Sequence, residues 1–132
     1  MQYWLMSDPK EIRYYRDLQV WQKAIQLAKS IYRTSACFPN EEKYGLVSQI
    51  RRAAVSVPSN IAEGQARNTT GEFILFLSHA EGSLAEVDTQ LFLATEFQFC
   101  DPLRADEIFE QISELRRMLQ TLKRRLIERS ER

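Results

Sequence analysis

Gln49-Ile50-Arg51-Arg52-Ala53-Ala54-Val55-Ser56-Val57-Pro58-Ser59-Asn60-Ile61-Ala62-Glu63-Gly64 carries two faces within one helical period. Leu46, Ile50, Ala53, Val57 and Ile61 recur at spacings of four, three, four and four, the core stripe of an amphipathic helix. A second stripe, Gln49, Arg52, Ser56, Asn60, Glu63 and Arg67, keeps the same period but is polar. Pro58 lies inside the pattern. It has no amide hydrogen for the carbonyl of Ala54, and its ring pushes that turn apart, at about 3 kcal/mol in an isolated helix. Ser56, Ser59 and Asn60 are placed to bond the freed backbone groups or to reach a neighbouring helix. Two readings of the polar stripe stay open: a satisfied kink, or a surface that contacts a ligand.

Outward from this stretch the same periodicity repeats. Asp17 reads as an N-cap for a first helix over roughly Leu18 to Ala36, with stripes at Val20, Ala24, Leu27, Ile31 and at Trp21, Ile25, Ala28, Tyr32. Phe38-Pro39-Asn40 ends it, and Asn40, with Glu41 and Glu42 behind it, is expected to cap the second helix. Gly64 reads as that helix's C-terminal stop. Thr69-x-x-Glu72 is a capping box, and Phe73, Leu77, Ala80, Leu84, Val87, Leu91 and Ala94 then hold a four-three heptad spacing. Asp101-Pro102 supplies a cap and an N1 proline for a fourth helix with core positions Ile108, Ile112, Leu115, Leu119, Leu122 and Leu126. Four helices on short connections predict an all-α, antiparallel up-down-up-down four-helix bundle over residues 17–132. Residues 1–16 form an N-terminal arm bearing Tyr3, Trp4, Tyr14 and Tyr15, in which Met6 is an alternative start to Met1.

A chain of 132 residues, 44% of them hydrophobic, suffices for one core. Neither Met1–Met6 nor any later stretch has the apolar length of a signal peptide or a membrane span, so no membrane partner and a cytoplasmic location are expected. Cys37 and Cys100, with no Cys-x-x-Cys pattern, read as buried, inert thiols. Lys plus Arg equals Asp plus Glu at 18 each, which excludes a global basic field.

Charge is nonetheless segregated. Between Lys10 and Arg67 there are ten basic and five acidic residues, whereas Asn68 to Cys100 holds five acidic residues and no Lys or Arg. On the fourth helix Arg116, Arg117, Lys123, Arg124 and Arg125 follow a run of acids. With Arg51 and Arg52 they are the candidate nucleic-acid contacts, a stripe able to track phosphates. The third helix is apolar on more than its core side, at Phe73-Ile74-Leu75-Phe76-Leu77 and Leu91-Phe92-Leu93-Ala94. Ile74, Phe76 and Phe92 are therefore candidate contacts between copies, and a homo-oligomer is expected.

Familiar catalytic chemistry is missing from the pattern. His79 is the single histidine, which argues against a zinc site and against the paired Glu-x-x-His units of a di-iron bundle. No nucleophile is signalled beside it, and neither a phosphate-binding nor a dinucleotide-binding glycine loop occurs. No cofactor, no metal and no enzymatic activity are expected, and His79 reads as a surface or interface residue.

At Asp17-Leu18-x-Val20-Trp21-Gln22-Lys23-Ala24, at Tyr44-Gly45-Leu46-x-Ser48-Gln49-Ile50-Arg51-Arg52-Ala53-Ala54, and above all at Pro58-Ser59-Asn60-Ile61-Ala62-Glu63-Gly64, the chain resembles bacterial four-helix bundle proteins related to the ribosomal RNA intervening-sequence proteins. Glu72-Phe73-x-x-Phe76-Leu77 and Gly82-Ser83-Leu84-x-Glu86 extend the resemblance, which covers about Asp17 to Ala94. It implies a homopentameric ring and marks Pro58, Ser59, Asn60, Glu63 and Gly64 as the family motif. It also implies kinship with accessory proteins of diversity-generating retroelements, which bind nucleic acid and a reverse transcriptase. Those relatives are basic, whereas this chain is neutral. The expected function is a non-enzymatic homo-oligomeric scaffold that binds RNA or DNA through its basic stripes. The alternative is a protein-interaction scaffold without nucleic acid.

Overall fold

The computed structural model describes residues 15–131; Tyr3, Trp4 and Tyr14 of the arm lie outside the described residues. A 3-10 turn at Tyr15–Asp17 leads into α1 (Gln19–Ser35), and a second such turn at Asn40–Glu42 precedes α2 (Leu46–Gln65). Then come α3 (Thr70–Glu96) and α4 (Pro102–Ser130), and there is no strand among the described residues. Contacts run from α1 to α2, α2 to α3, α3 to α4 and α4 back to α1, closing a cycle around one core. Val20, Ala24, Leu27 and Ile31 of α1, all seven heptad positions of α3 and all six of α4 are buried. A fully buried Leu or Ile is worth about 1.5 to 3 kcal/mol, so these stripes are the main source of stability.

Helix starts depart from the expected caps in two places. Asp17 belongs to the 3-10 turn, and Leu18 holds the cap position of α1 without any side-chain cap bond. Leu18 is fully buried, and the Gln22 amide donates to the Arg16 carbonyl at 2.9 Å, so burial and a back-bond fix this start instead. Asn40 likewise lies in a 3-10 turn, and α2 begins only at Leu46. Its first amide donates to Glu42 Oε1 at 3.1 Å, so the acid reaches forward to do what Asn40 was expected to do. A carboxylate there also meets the positive end of the helix dipole.

Gly64 is the third departure. Neither it nor any other glycine has a positive φ, and α2 continues through it to Gln65. Its role is proximity: a methyl group at Gly64 would lie 2.7 Å from Phe76 Cβ, 3.1 Å from Phe73 Cδ1 and 3.3 Å from the Phe73 carbonyl oxygen. Only a residue without Cβ lets the end of α2 approach α3 so closely.

The other two N-caps form, with the Glu72 carboxylate meeting the Thr69 hydroxyl in place of the Thr69 amide of a capping box. Thr69 Oγ1 accepts the Glu72 amide at 3.1 Å and bonds the Glu72 carboxylate at 3.0 Å. Asp101 accepts the Leu103 amide at 3.3 Å, with Pro102 opening α4.

The end of α3 is a Schellman turn in which Gln98 takes φ 61°. The Phe99 amide donates to the Ala94 carbonyl at 2.8 Å and the Gln98 amide to Thr95 at 3.0 Å. The turn swings Phe99 back onto Phe38, ring centroids 5.9 Å apart, and that contact holds a side chain in a region it would otherwise avoid. Gln98→Gly is expected to raise stability by about 0.5 to 1 kcal/mol in urea denaturation, since glycine accepts this φ without strain.

Candidate binding surfaces

The polar stripe of α2 faces α3. Ser56 Oγ and Ser83 Oγ are 2.8 Å apart, and the Asn60 amide donates to Ser56 Oγ at 2.9 Å and to the Ser56 carbonyl at 2.8 Å. Ser59 Oγ donates to the Val55 carbonyl at 2.9 Å. Of the two alternatives raised for the residues around buried Pro58, Ser56 reaches the neighbouring helix, while Ser59 and Asn60 bond the carbonyls of Val55 and Ser56 rather than the Ala54 carbonyl that Pro58 leaves without its amide. Glu63 pairs with Arg67 at 2.6 Å on the surface, and the Arg67 guanidinium lies 4.8 Å from the Phe76 ring centroid.

Beyond this knot the two helices leave a groove of about 500 Å³, lined by Tyr44, Ser48, Gln49, Arg52, Ala53, Ser56, Glu86 and Gln90. Gln90 Nε2 donates across it to Gln49 Oε1 at 3.5 Å, while the buried Gln90 Oε1 has no hydrogen-bond partner. Gln49, Arg52 and Ser56 come from the polar stripe. Tyr44 and Gln90 were not singled out as site residues; Glu86 and Gln90, one helical turn apart on α3, are the signal that points to Gln90, and nothing in the periodicity points to Tyr44.

The basic candidates are not brought together. Arg51 turns inward, donating to Ser35 Oγ at 2.8 Å and to the Tyr32 carbonyl at 3.1 Å, with its guanidinium 4.6 Å from the Tyr32 ring centroid. Arg116 pairs with Asp88 at 3.1 Å and Lys123 with Glu81 at 2.6 Å, so two acids of α3 are matched by two bases of α4. Arg52, Arg117, Arg124 and Arg125 are exposed, but Arg52 is on α2 and Arg117 lies among Asp106, Glu107, Glu110 and Glu114. The α4 stripe therefore presents a mixed rather than a basic surface.

The apolar candidates divide as well. Ile74 packs against the core, and Phe76 is half-buried between Gly64, Arg67 and His79, whose ring centroid is 5.6 Å away. Phe92 is 56% exposed and is joined at the α3–α4 end by Leu93 at 40%, Phe97 at 60% and Leu103 at 75%. Phe97 packs against Phe99 with ring centroids 5.4 Å apart and planes tilted by 40°, so an aromatic row runs from buried Phe38 out to solvent. Phe97 and Leu103 sit outside the heptad stripes, which is why periodicity did not find them.

Neither cysteine is buried: Cys37 is exposed and Cys100 half-buried, and both are free thiols. A helix-capping turn places Cys37 outside the α1 stripe, where apolar burial does not reach. Burial first, and the Asp101 carboxylate second, push the Cys100 thiol above its ordinary range, which disfavours the reactive thiolate. Among the described residues no three His, Cys, Asp or Glu side chains gather as a metal site would need. No described helix is long and apolar enough to cross a membrane.

The sequence matches the profile of the 23S rRNA-intervening sequence protein family over residues 16–121. The chain belongs to that family. Its fold is shared with a crystal structure from Bacteroides thetaiotaomicron, described as a protein of unknown function from the S23 ribosomal protein family. The two chains are 23% identical with a TM-score of 0.73, over 79% of this chain and 97% of the other. No match was found among curated proteins. Within the family's matched span lie α1, α2, α3 and most of α4, so the polar groove and the apolar α3–α4 end both belong to the family region.

Proposed function

We propose that this member of the 23S rRNA-intervening sequence protein family is a non-enzymatic, self-associating scaffold of the cytoplasm. Copies join through the apolar end formed by Phe92, Leu93, Phe97 and Leu103. Their exposure is the observation that carries the reading: four apolar side chains, each at least 40% exposed, fall within twelve residues at the α3–α4 connection. The scaffold is an antiparallel up-down-up-down bundle. Register supports this, because Gln49 meets Gln90 while Ser56 meets Ser83, and Asp88 meets Arg116 while Glu81 meets Lys123. In both pairs of helices one number rises as the other falls. The pentameric ring that the resemblance implies is the assembly we adopt, closed by head-to-tail contacts.

Of the two readings of the scaffold, the geometry favours protein interaction over a phosphate-tracking stripe. Arg51, Arg116 and Lys123 already have partners within the chain, and a phosphate would compete with them.

The test is the double variant Phe97→Asp/Leu103→Asp. Both positions are exposed in the single chain, so the variant should keep its helical circular-dichroism spectrum while the mass in sedimentation equilibrium falls from an oligomer to a single chain. Two buried carboxylates at a contact between copies cost more than such a contact yields. An unchanged oligomeric mass would remove this end as the interface.

A further inference from the structure

We propose that the α2–α3 groove is a binding site for a guanine base. The inference stands on the groove alone and does not depend on whether copies associate. Its walls are Ser48 to Ser56 on α2 and Glu86 to Gln90 on α3, and the Ser56–Ser83 bond closes one end. At about 500 Å³ it has the size of a small-molecule site.

Three features define the occupant. Arg52 and Glu86 line the same groove from opposite helices, yet no ion pair joins them to each other or to another described residue. Gln90 Oε1, covered beneath the groove's surface, is an acceptor without a donor, and a ligand's donor reaches it once the Gln90 amide turns off its 3.5 Å contact with Gln49 Oε1. Tyr44, 88% exposed at the rim, offers an aromatic face, with the Lys43 ammonium 5.4 Å from the ring centroid. A buried carbonyl left unpaired is a cost, and an exposed tyrosine ring is a face on which a flat ligand can stack. A ligand that meets all three must be flat, must bring at least two N–H donors, and must bring an acceptor for a guanidinium.

Among the nucleobases only guanine combines these features. Its N1–H and N2–H₂ donors lie side by side and suit the Glu86 carboxylate and Gln90 Oε1, while O6 and N7 on the adjoining edge suit the fork of Arg52. Its ring would stack on Tyr44, as unpaired bases do on exposed aromatic side chains. Adenine, cytosine and uracil lack the two adjacent donors. An arginine side chain from another protein would satisfy Glu86, Gln90 and Tyr44, but Arg52 would repel it.

The experiment titrates the isotope-labelled full chain and follows its backbone amide resonances. The probes are guanosine monophosphate, adenosine monophosphate, arginine amide, and the single-stranded RNAs UUGUU and UUAUU. Guanosine monophosphate or UUGUU should shift Ser48, Arg52, Glu86 and Gln90, with the adenine counterparts inert at the same concentration. Tighter binding of UUGUU assigns the base to a strand, and equal binding assigns it to a free nucleotide; either supports the site. Glu86→Gln and Tyr44→Ala, both at exposed positions, should each weaken binding roughly tenfold without moving the melting temperature. The proposal is overturned by absence of shifts from both guanine probes at millimolar concentration, by an equal response to adenine, or by shifts from arginine amide alone.

Discussion

Gly64→Val is expected to destabilise the protein by about 3 kcal/mol, lowering its melting temperature by roughly 12 °C. Glycine inside a helix is ordinarily a weakness, and replacing it with alanine in an open position gains up to about 1 kcal/mol. Here the sign is reversed by what stands opposite. The new Cβ would fall 2.7 Å from Phe76 Cβ and 3.3 Å from the Phe73 carbonyl oxygen, atoms fixed to the α3 backbone that cannot swing aside as a flexible side-chain tip would. The only relief is separation of α2 from α3, which loosens the packing of Ile61 and Leu77. Gly64→Ala should cost less, because the propensity gain offsets part of the clash. Pairing it with Phe76→Gly should recover some of the loss, a coupling that a double-mutant cycle reads directly. Denaturant midpoints for the four proteins decide the matter; a neutral or stabilising Gly64→Ala would show that the helices are not so close.

Leu119→Ala should cost about 3 kcal/mol, near the middle of the range for a leucine removed from a tight core. Leu119 is fully buried in α4, and the closed cycle of helix contacts leaves its neighbours little freedom to collapse into the void. Leu103→Ala, on the same helix, should change the stability of the dissociated chain by less than about 0.5 kcal/mol, because within one chain Leu103 is 75% exposed. Urea denaturation of the two variants at a protein concentration too low for association separates the roles: one leucine holds the chain together, the other faces outward. Comparable losses would contradict the assignment of core and outer surface.

The heptad stripes of α3 and α4 were legible because burial in a helical protein follows a simple period, and every residue named for those stripes is buried. Cap chemistry was legible where the capping side chain stands next to its target, as at Thr69 and Asp101. It failed at Asn40, where a 3-10 turn intervened and Glu42 supplied the oxygen, and at Asp17, where a buried leucine took the cap position. Gly64 was misread for a related reason: glycine permits both a left-handed turn and a close approach, and only the position of Phe73 and Phe76 chooses between them.

Surface features were harder to read. A helical wheel places Arg116 and Lys123 on a common side with Arg117 and Arg124, but it carries no information about the acids on the next helix. Asp88 and Glu81 absorb the first two, and the remaining pair no longer forms a row. The outlying apolar residues Phe97 and Leu103 belong to a turn and a first helical turn, where no period operates. The family motif was legible as residues, and the structure supplies the local bonds that Ser56, Ser59 and Asn60 make around Pro58.

The most direct test of self-association is sedimentation equilibrium of the unmodified chain at micromolar concentration. A mass that is a whole multiple of one chain, five for the ring adopted above, is the predicted result. A stable single chain under those conditions, with Phe92, Phe97 and Leu103 left in water, would contradict it.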